Sequence, residues 1–327
     1  MTQSAPPTGG HALIQRVRVL SAMAVSAAVF WYVGWWVAAP MDPDGPISLL
    51  AVEQGVVTMA ELLGLAVVVS SLAVAICGAR SHERGPLAVA VGLATLALRG
   101  SQMDRLVLYR LTTTNVRSVP QDPYPVWSLI AETWLWLALI GVGFVVGRWV
   151  ESWFDSGRND ATGPIVAGKS EHRRGGGESG SDVRQAIGML AVAFFIAWGM
   201  LSFTAGSTEL PLLKGQIYFA LFVAFLFAAL IARWFFPAVP SGWMLITIAL
   251  VAIVAYVYGC PDKETLESAR RLGTYVTLRP IARPLPIEFA ALGGIGALFE
   301  ADAMDTLLAM FGLEPAEHTH PNRRAAA

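Results

Sequence analysis

Tyr109-Arg110-Leu111-Thr112-Thr113 leads on to Pro123-Tyr124-Pro125, and Arg270-Arg271-Leu272-Gly273-Thr274 leads on to Pro284-Leu285-Pro286. Arg110 and Arg271, Leu111 and Leu272, Thr113 and Thr274, Pro123 and Pro284, and Pro125 and Pro286 are each 161 residues apart. The same offset lays one apolar run on another without a gap, which reads as an internal duplication. The repeated stretch is a connection, and what it connects are apolar runs of membrane-spanning length.

Those runs dominate the composition. The chain is 55% hydrophobic and 14% charged, with a mean hydropathy of +0.54, outside the range of ordinary soluble domains. A run of about twenty apolar residues crosses a bilayer core of about 30 Å. The runs fall at Val19–Ala39, Val56–Ala79, Pro86–Leu98, Val126–Gly147, Arg184–Ala205, Gly215–Phe236 and Ser241–Gly259. A weaker one, Pro286–Phe311, carries Glu288, Glu300, Asp302 and Asp305. Alone it reads as an amphipathic surface helix; its counterpart under the duplication is Val126–Gly147, which predicts an eighth span.

The expected fold is therefore an all-α polytopic transmembrane bundle of about eight spans, arranged as two parallel four-helix repeats. Residues 1–15 read as a disordered tail, 16–150 as the first unit and 151–183 as a flexible hydrophilic linker; 184–312 form the second unit and 313–327 a C-terminal tail. The first run also resembles a signal peptide, with Val37-Ala38-Ala39 as a cleavage site. Its length and its aromatic end (Trp31, Tyr32, Trp35, Trp36) favour a retained helix. Arg16 and Arg18 set against Asp42 and Asp44 place the N-terminus and the linker in the cytoplasm of a plasma or inner membrane.

Several functions are argued against. A net charge of −1 leaves no basic face for nucleic acid. All five histidines (His11, His82, His172, His318, His320) fall in tails, loops or the linker, whereas a membrane haem or copper centre needs imidazoles inside the spans. Cys77 and Cys260 share no motif and sit on opposite membrane faces in this topology, so no metal or disulfide site is expected. Gly163–Ser170 matches the Walker A pattern, but an Asp/Asn/Gly-rich coil precedes it and Glu171-His172-Arg173-Arg174 follows. The strand and helix that a phosphate loop requires are missing, and nucleotide binding is rejected. Gly143 and Gly147 form a GxxxG pair that suits close helix packing.

The remaining chemistry lies in the first half. Gln54, Thr58 and Glu61 share one helical face, as do Ser128, Glu132 and Trp136. Glu61 and Glu132 enter the membrane to similar depth from one side, where Arg99 and Asp104 approach. Ionisable groups in a bilayer cost about 2.5–3.5 kcal/mol each on insertion scales and normally face a partner or a wet cavity. The functional expectation is an outward-opening pocket lined by Glu61, Glu132, Arg99, Asp104, Gln54 and Thr58. The plainer reading is that these groups reach interfacial water and only fix helix ends. At the offset of 161, Glu61 becomes Phe222, Glu132 becomes Gly293 and Arg99 becomes Cys260, so the second half lacks the pocket.

Ala60-Glu61-Leu62-Leu63-Gly64, together with Glu132 and the helix ending at Gly147-Arg148, resembles the DoxX-like group of four-helix membrane proteins over residues 16–155. The resemblance implies a link to membrane redox complexes and quinone-linked oxidation, with Glu61 and Glu132 as the residues carried over. The chain departs from that pattern in being doubled, in its Pro-containing connection and in lacking matching second-half carboxylates. The reading reached is an accessory or binding subunit in the lipid bilayer, alongside other membrane subunits. A membrane scaffold and a small-molecule transporter are the alternatives. No nucleophile–base pair supports an independent enzyme.

Overall fold

The computed structural model describes residues 9–40, 45–50, 56–78, 83–117, 124–159, 179–205, 214–272 and 278–299. Helix α1 (Gly9–Val29) continues through a π-turn (Phe30–Gly34) into α2 (Trp35–Ala38). There follow α3 (Val56–Cys77), α4 (Arg84–Arg99), α5 (Met103–Arg117) and α6 (Val126–Asn159). After the connection come α7 (Ser179–Ala205), α8 (Lys214–Phe235), α9 (Met244–Tyr258), α10 (Lys263–Leu272) and α11 (Pro286–Leu298). Among the described residues there is no strand.

Among the described residues, six helical stretches are long and apolar enough to cross a membrane: Leu13–Ala38, Val57–Cys77, Val126–Trp153, Val183–Thr204, Lys214–Phe235 and Ser241–Tyr258. Their outward faces carry large apolar side chains such as Val68, Phe195, Phe203 and Phe219. Exposed aromatics ring both ends, with Tyr32, Trp36 and Trp127 at one and Trp149, Trp153 and Trp234 at the other. That is the pattern of side chains placed at headgroup level. The protein is an integral membrane protein of helical construction.

Two helices are too short for this and are buried instead. Helix α4 has 16 residues and α11 has 13, rising about 24 Å and about 20 Å. Both are rich in Gly and Ala, and they pack against each other at the centre, with α6 touching both. Pro286–Leu298 is thus neither an amphipathic surface helix nor, over its described length, a full span. Residues 300–327, including Glu300, Asp302 and Asp305, lie outside the described residues.

Small residues make the central contacts possible. A Cβ built on Gly143 would stand 2.6 Å from the Cα of Pro86 and 2.8 Å from its nitrogen, and one on Gly85 would stand 2.7 Å from the Gly143 carbonyl oxygen. The GxxxG glycine therefore packs α6 against α4 within the chain.

Two segments differ from expectation. Helix α6 runs on to Asn159 and α7 starts at Ser179, so the hydrophilic segment is helical at both ends. Trp149 and Trp153, one turn apart, stack at 5.9 Å and continue the α6 helix past Arg148. At the N-terminus, α1 begins at Gly9 rather than after residue 15. Residues 160–178, with the Walker-like Gly163–Ser170, and Gln54 lie outside the described residues.

Substituting Gly143→Ala forces two backbones apart and is expected to destabilise the protein by about 1–3 kcal/mol. Gly141 has nothing within 4 Å of an added Cβ, so Gly141→Ala serves as a neutral control in the same helix. Thermal unfolding of both variants in detergent checks the difference.

Candidate functional site

The polar groups that matter gather at one end of the bundle, where α3, α6, α8 and α11 start and α4 and α9 finish. Residues 45–50 fold over this end. Gly45 through Leu49 are buried although they form a connection, and the Gly45 carbonyl accepts from Ser101 N–H at 3.2 Å.

Glu132 holds that connection in place. It lies six residues into α6, is fully buried, and receives four donors. Its Oε2 accepts from Ser48 Oγ at 2.6 Å and from Leu50 N–H at 3.5 Å. Its Oε1 accepts from Leu49 N–H at 3.0 Å and from Trp136 Nε1 at 3.0 Å. A carboxylate so surrounded has its acceptor capacity used by the protein itself.

A second carboxylate stands at the start of α11. Glu288 is fully buried, and its Oε2 accepts from Leu285 N–H at 2.8 Å, satisfying an orphan donor of its own helix. The Glu288 carboxyl and the buried Tyr218 hydroxyl act on each other, but neither Glu288 Oε1 nor Tyr218 Oη closes a hydrogen bond of good geometry. Lys214 shares their electrostatic neighbourhood. The Lys214 ammonium donates to the carbonyls of Ala97 (2.6 Å), Leu98 (3.2 Å) and Gly100 at the end of α4. A cation at a helix C-terminus meets both unpaired carbonyls and the negative end of the dipole.

The seam between the halves continues through the Tyr256 hydroxyl, which donates to the Pro284 carbonyl at 3.0 Å. Arg283, buried, donates from Nε to the Leu278 carbonyl at 3.2 Å. Its guanidinium is the charge that acts on Asp104, whose Oδ1 is buried without a hydrogen bond. Burial pushes the Asp104 carboxyl above its ordinary value, with Arg283 opposing the shift.

The expected pocket residues are dispersed. Glu61 is exposed on the outward face of α3 beside Val57, Ala60, Gly64 and Val68, whereas Leu62, Ala66, Val69 and Ala73 face the core. Thr58 is half-buried on the same helix. Arg99 donates to the Trp31 carbonyl at 2.7 Å and lies over the rings of Trp31 (4.9 Å) and Trp35 (4.3 Å). It fastens α4 to the end of the first span. Only Glu132 and Asp104 belong to the polar layer, and they contact different groups within it.

Sequence reading passed over Lys214, Tyr218, Tyr256 and Arg283. One signal was available for Glu288: Leu285-Pro286-Ile287-Glu288 places Pro at the first helical position and an acid at the third. Another was the apolar Pro46-Ile47-Ser48-Leu49-Leu50, unusual in a connection that otherwise carries Asp42 and Asp44. Among the described residues, no group of three or more His, Cys, Asp and Glu is placed to hold a metal ion.

No protein-family model matches the chain, and no curated protein or solved structure matches it.

Glu132→Ala strands the Ser48 hydroxyl, the Trp136 N–H and two backbone N–H groups, and is expected to cost about 3–5 kcal/mol. Glu132→Gln, which keeps acceptor oxygen, is expected to cost less; chemical unfolding in detergent ranks the two. Asp104 gives a pH signature of defined sign. With its folded pKa above the ordinary 3.8, its contribution is fully present below that value and is lost as pH rises through the folded pKa. Wild-type stability, measured relative to Asp104→Asn across that window, is expected to fall as pH increases.

Proposed function

We propose that this protein is a membrane-embedded accessory or binding subunit built from two related four-helix units. Its ligand-contacting address is the polar seam at Glu288, Tyr218 and Lys214. The observation that carries this reading is a buried pair, Glu288 Oε1 and Tyr218 Oη, that neighbour each other without closing a hydrogen bond of good geometry. Buried polar groups left unpaired cost about 1–3 kcal/mol each. The carboxyl and the hydroxyl act on each other without closing a well-formed hydrogen bond, an arrangement that a small polar group can bridge. Ordered water is the simplest occupant; the hydroxyl head of a lipophilic molecule of the quinone class, in its reduced quinol form, is the functional one. The quinone class is what the DoxX-like resemblance implies, through Glu61 and Glu132 and not through the residues of this seam.

The doubled architecture is supported by the element order. Helices α3, α4, α5 and α6 begin at residues 56, 84, 103 and 126, and α8, α9, α10 and α11 at 214, 244, 263 and 286. Most contacts follow the same exchange, with the packing of α3 on α4 lacking an equally close α8–α9 counterpart. Helix α1 packs on α3 and α4, α3 on α6 and α4 on α6; correspondingly α7 packs on α8 and α9, α8 on α11 and α9 on α11. Across the seam, α4 meets α11 as α9 meets α6. Both units run in the same sense, as expected for repeats related by an axis along the membrane normal. On this reading α4 and α11 are the seventh and eighth membrane-embedded helices, short because they are enclosed by the others. The polar seam is then outermost, with the N-terminus cytoplasmic in a plasma or inner membrane.

A scaffold reading has its own support in Glu132. Its four donors leave it no capacity for a ligand, and its work is to seal a connection over the bundle. Transport is less well supported, because the centre, where Gly294 approaches Ile140 and Ala90, is filled by apolar contacts.

Binding and scaffolding separate in one titration. Quenching of intrinsic tryptophan fluorescence by a short-chain benzoquinol, whose hydroxyls both donate and accept, is expected to saturate in the wild type. Glu288→Gln and Tyr218→Phe are each expected to weaken binding about tenfold, the worth of one buried hydrogen bond. Glu61→Gln is expected to leave it unchanged. Quenching without saturation, or insensitive to both variants, returns the protein to the scaffold class.

A further inference from the structure

The opposite end of the bundle carries a groove of ≈ 480 Å³ between the α3–α4 connection, the Gly141–Arg148 stretch of α6 and the α8–α9 turn. Its lining includes Glu83, Phe144, Arg148, Arg233, Ser241 and Leu245. Two guanidinium groups thus face a single carboxylate. Arg148 and Glu83 are exposed, and Arg233 is half-buried. The Arg233 Nη1 donates to the Val239 carbonyl at 3.2 Å, which holds its side chain against the α8–α9 turn.

Two further features narrow the ligand. The groove lies at the level of exposed Trp149 and Trp234, aromatics of the kind found at the headgroup boundary. Its other wall is apolar, with Phe144, Leu245 and the strongly exposed Val145. A cationic recess that opens onto an apolar flank at headgroup depth is complementary to one molecule class, an anionic phospholipid.

We infer that this groove binds the headgroup of an anionic phospholipid, with its phosphate between Arg148 and Arg233 and its acyl chains descending along Val145. Glu83 opposes the phosphate and weakens the site. The groove is at the far end from the seam of Glu288 and Tyr218, so either site stands if the other fails. Basic recesses between membrane helices are suited to lipid headgroups, and each Arg near an anionic headgroup is worth about fivefold in affinity.

The test is the apparent unfolding midpoint of the purified full chain in neutral detergent, titrated with dioleoylphosphatidylglycerol, dioleoylphosphatidylcholine or inorganic phosphate. Phosphatidylglycerol is expected to raise the midpoint saturably, while phosphatidylcholine and inorganic phosphate produce no saturable rise. Arg148→Gln and Arg233→Gln are each expected to weaken the apparent affinity about fivefold, and Glu83→Gln to strengthen it. Should Arg233→Gln fail to fold through loss of its bond to Val239, the two exposed positions, Arg148 and Glu83, decide the outcome. An equal rise with phosphatidylcholine overturns the inference, as does a phosphatidylglycerol response unchanged by Arg148→Gln and Glu83→Gln. An equal rise with inorganic phosphate replaces the lipid by a free anion and overturns it too.

Discussion

Helix α4 ends inside the protein, and the ammonium of Lys214 closes it. An isolated helix leaves its last four carbonyls unpaired, and in a low-dielectric surround each unpaired group costs several kcal/mol. A full membrane span avoids the cost by carrying its ends into the headgroups. With a rise of about 24 Å, α4 cannot do so at both ends of a core of about 30 Å. Lys214 answers with contacts to Ala97, Leu98 and Gly100. Because Lys214 begins α8, the same contacts tie the second half of the chain to the first.

The rest of the polar end follows from this constraint. Helix α11 is shorter still, and Glu288 reaches back to Leu285 N–H to satisfy its start. The connection at residues 45–50 must lie over ends that do not reach water, so its own backbone needs partners, and Glu132 supplies them for Leu49 and Leu50. Each carboxylate buried here thus answers an unpaired backbone N–H. The two occupy different registers of α6 and α11: at the offset of 161, Glu132 falls on Gly293 and Glu288 on Trp127. If the units arose by duplication, each half solved its own end separately.

This explains what the amino-acid sequence disclosed and what it withheld. Membrane helices are legible because twenty apolar residues need no context to be recognised, and six of the expected spans carry helices of the required length. The burial of α4 and α11 was less legible, since an apolar run facing lipid and one facing protein have similar composition. The small residues do differ: Gly85, Gly143 and Gly294 mark contacts that a Cβ would crowd. Among the site residues, Glu132 was visible as a lone acid in an apolar helix. Glu61 looked equivalent by the same rule and is exposed, because rotating one residue along a helix by about 100° changes its face entirely. Lys214 and Tyr218 were hidden for the opposite reason. They sit at the start of a span, where polar residues are ordinary, and only the tertiary arrangement brings the end of α4 to them.

The two ends of the bundle consequently pose different questions. At the seam, polar groups are buried and mostly consumed by the protein, so function must depend on the few atoms left over. Glu288 Oε1 and Tyr218 Oη are such atoms, and their burial makes them selective for a small neutral group that donates and accepts hydrogen bonds; a charged ligand would pay a large desolvation cost there. At the groove Arg148 is exposed and Arg233 half-buried, so desolvation is smaller and recognition is electrostatic. A headgroup held there and a polar molecule held at the seam would both contact α6 or helices packed on it, since α6 touches α3, α4, α9 and α11. A rigid α6, pinned at Glu132 and pressed against α4 at Gly143, would hold the two sites at fixed separation.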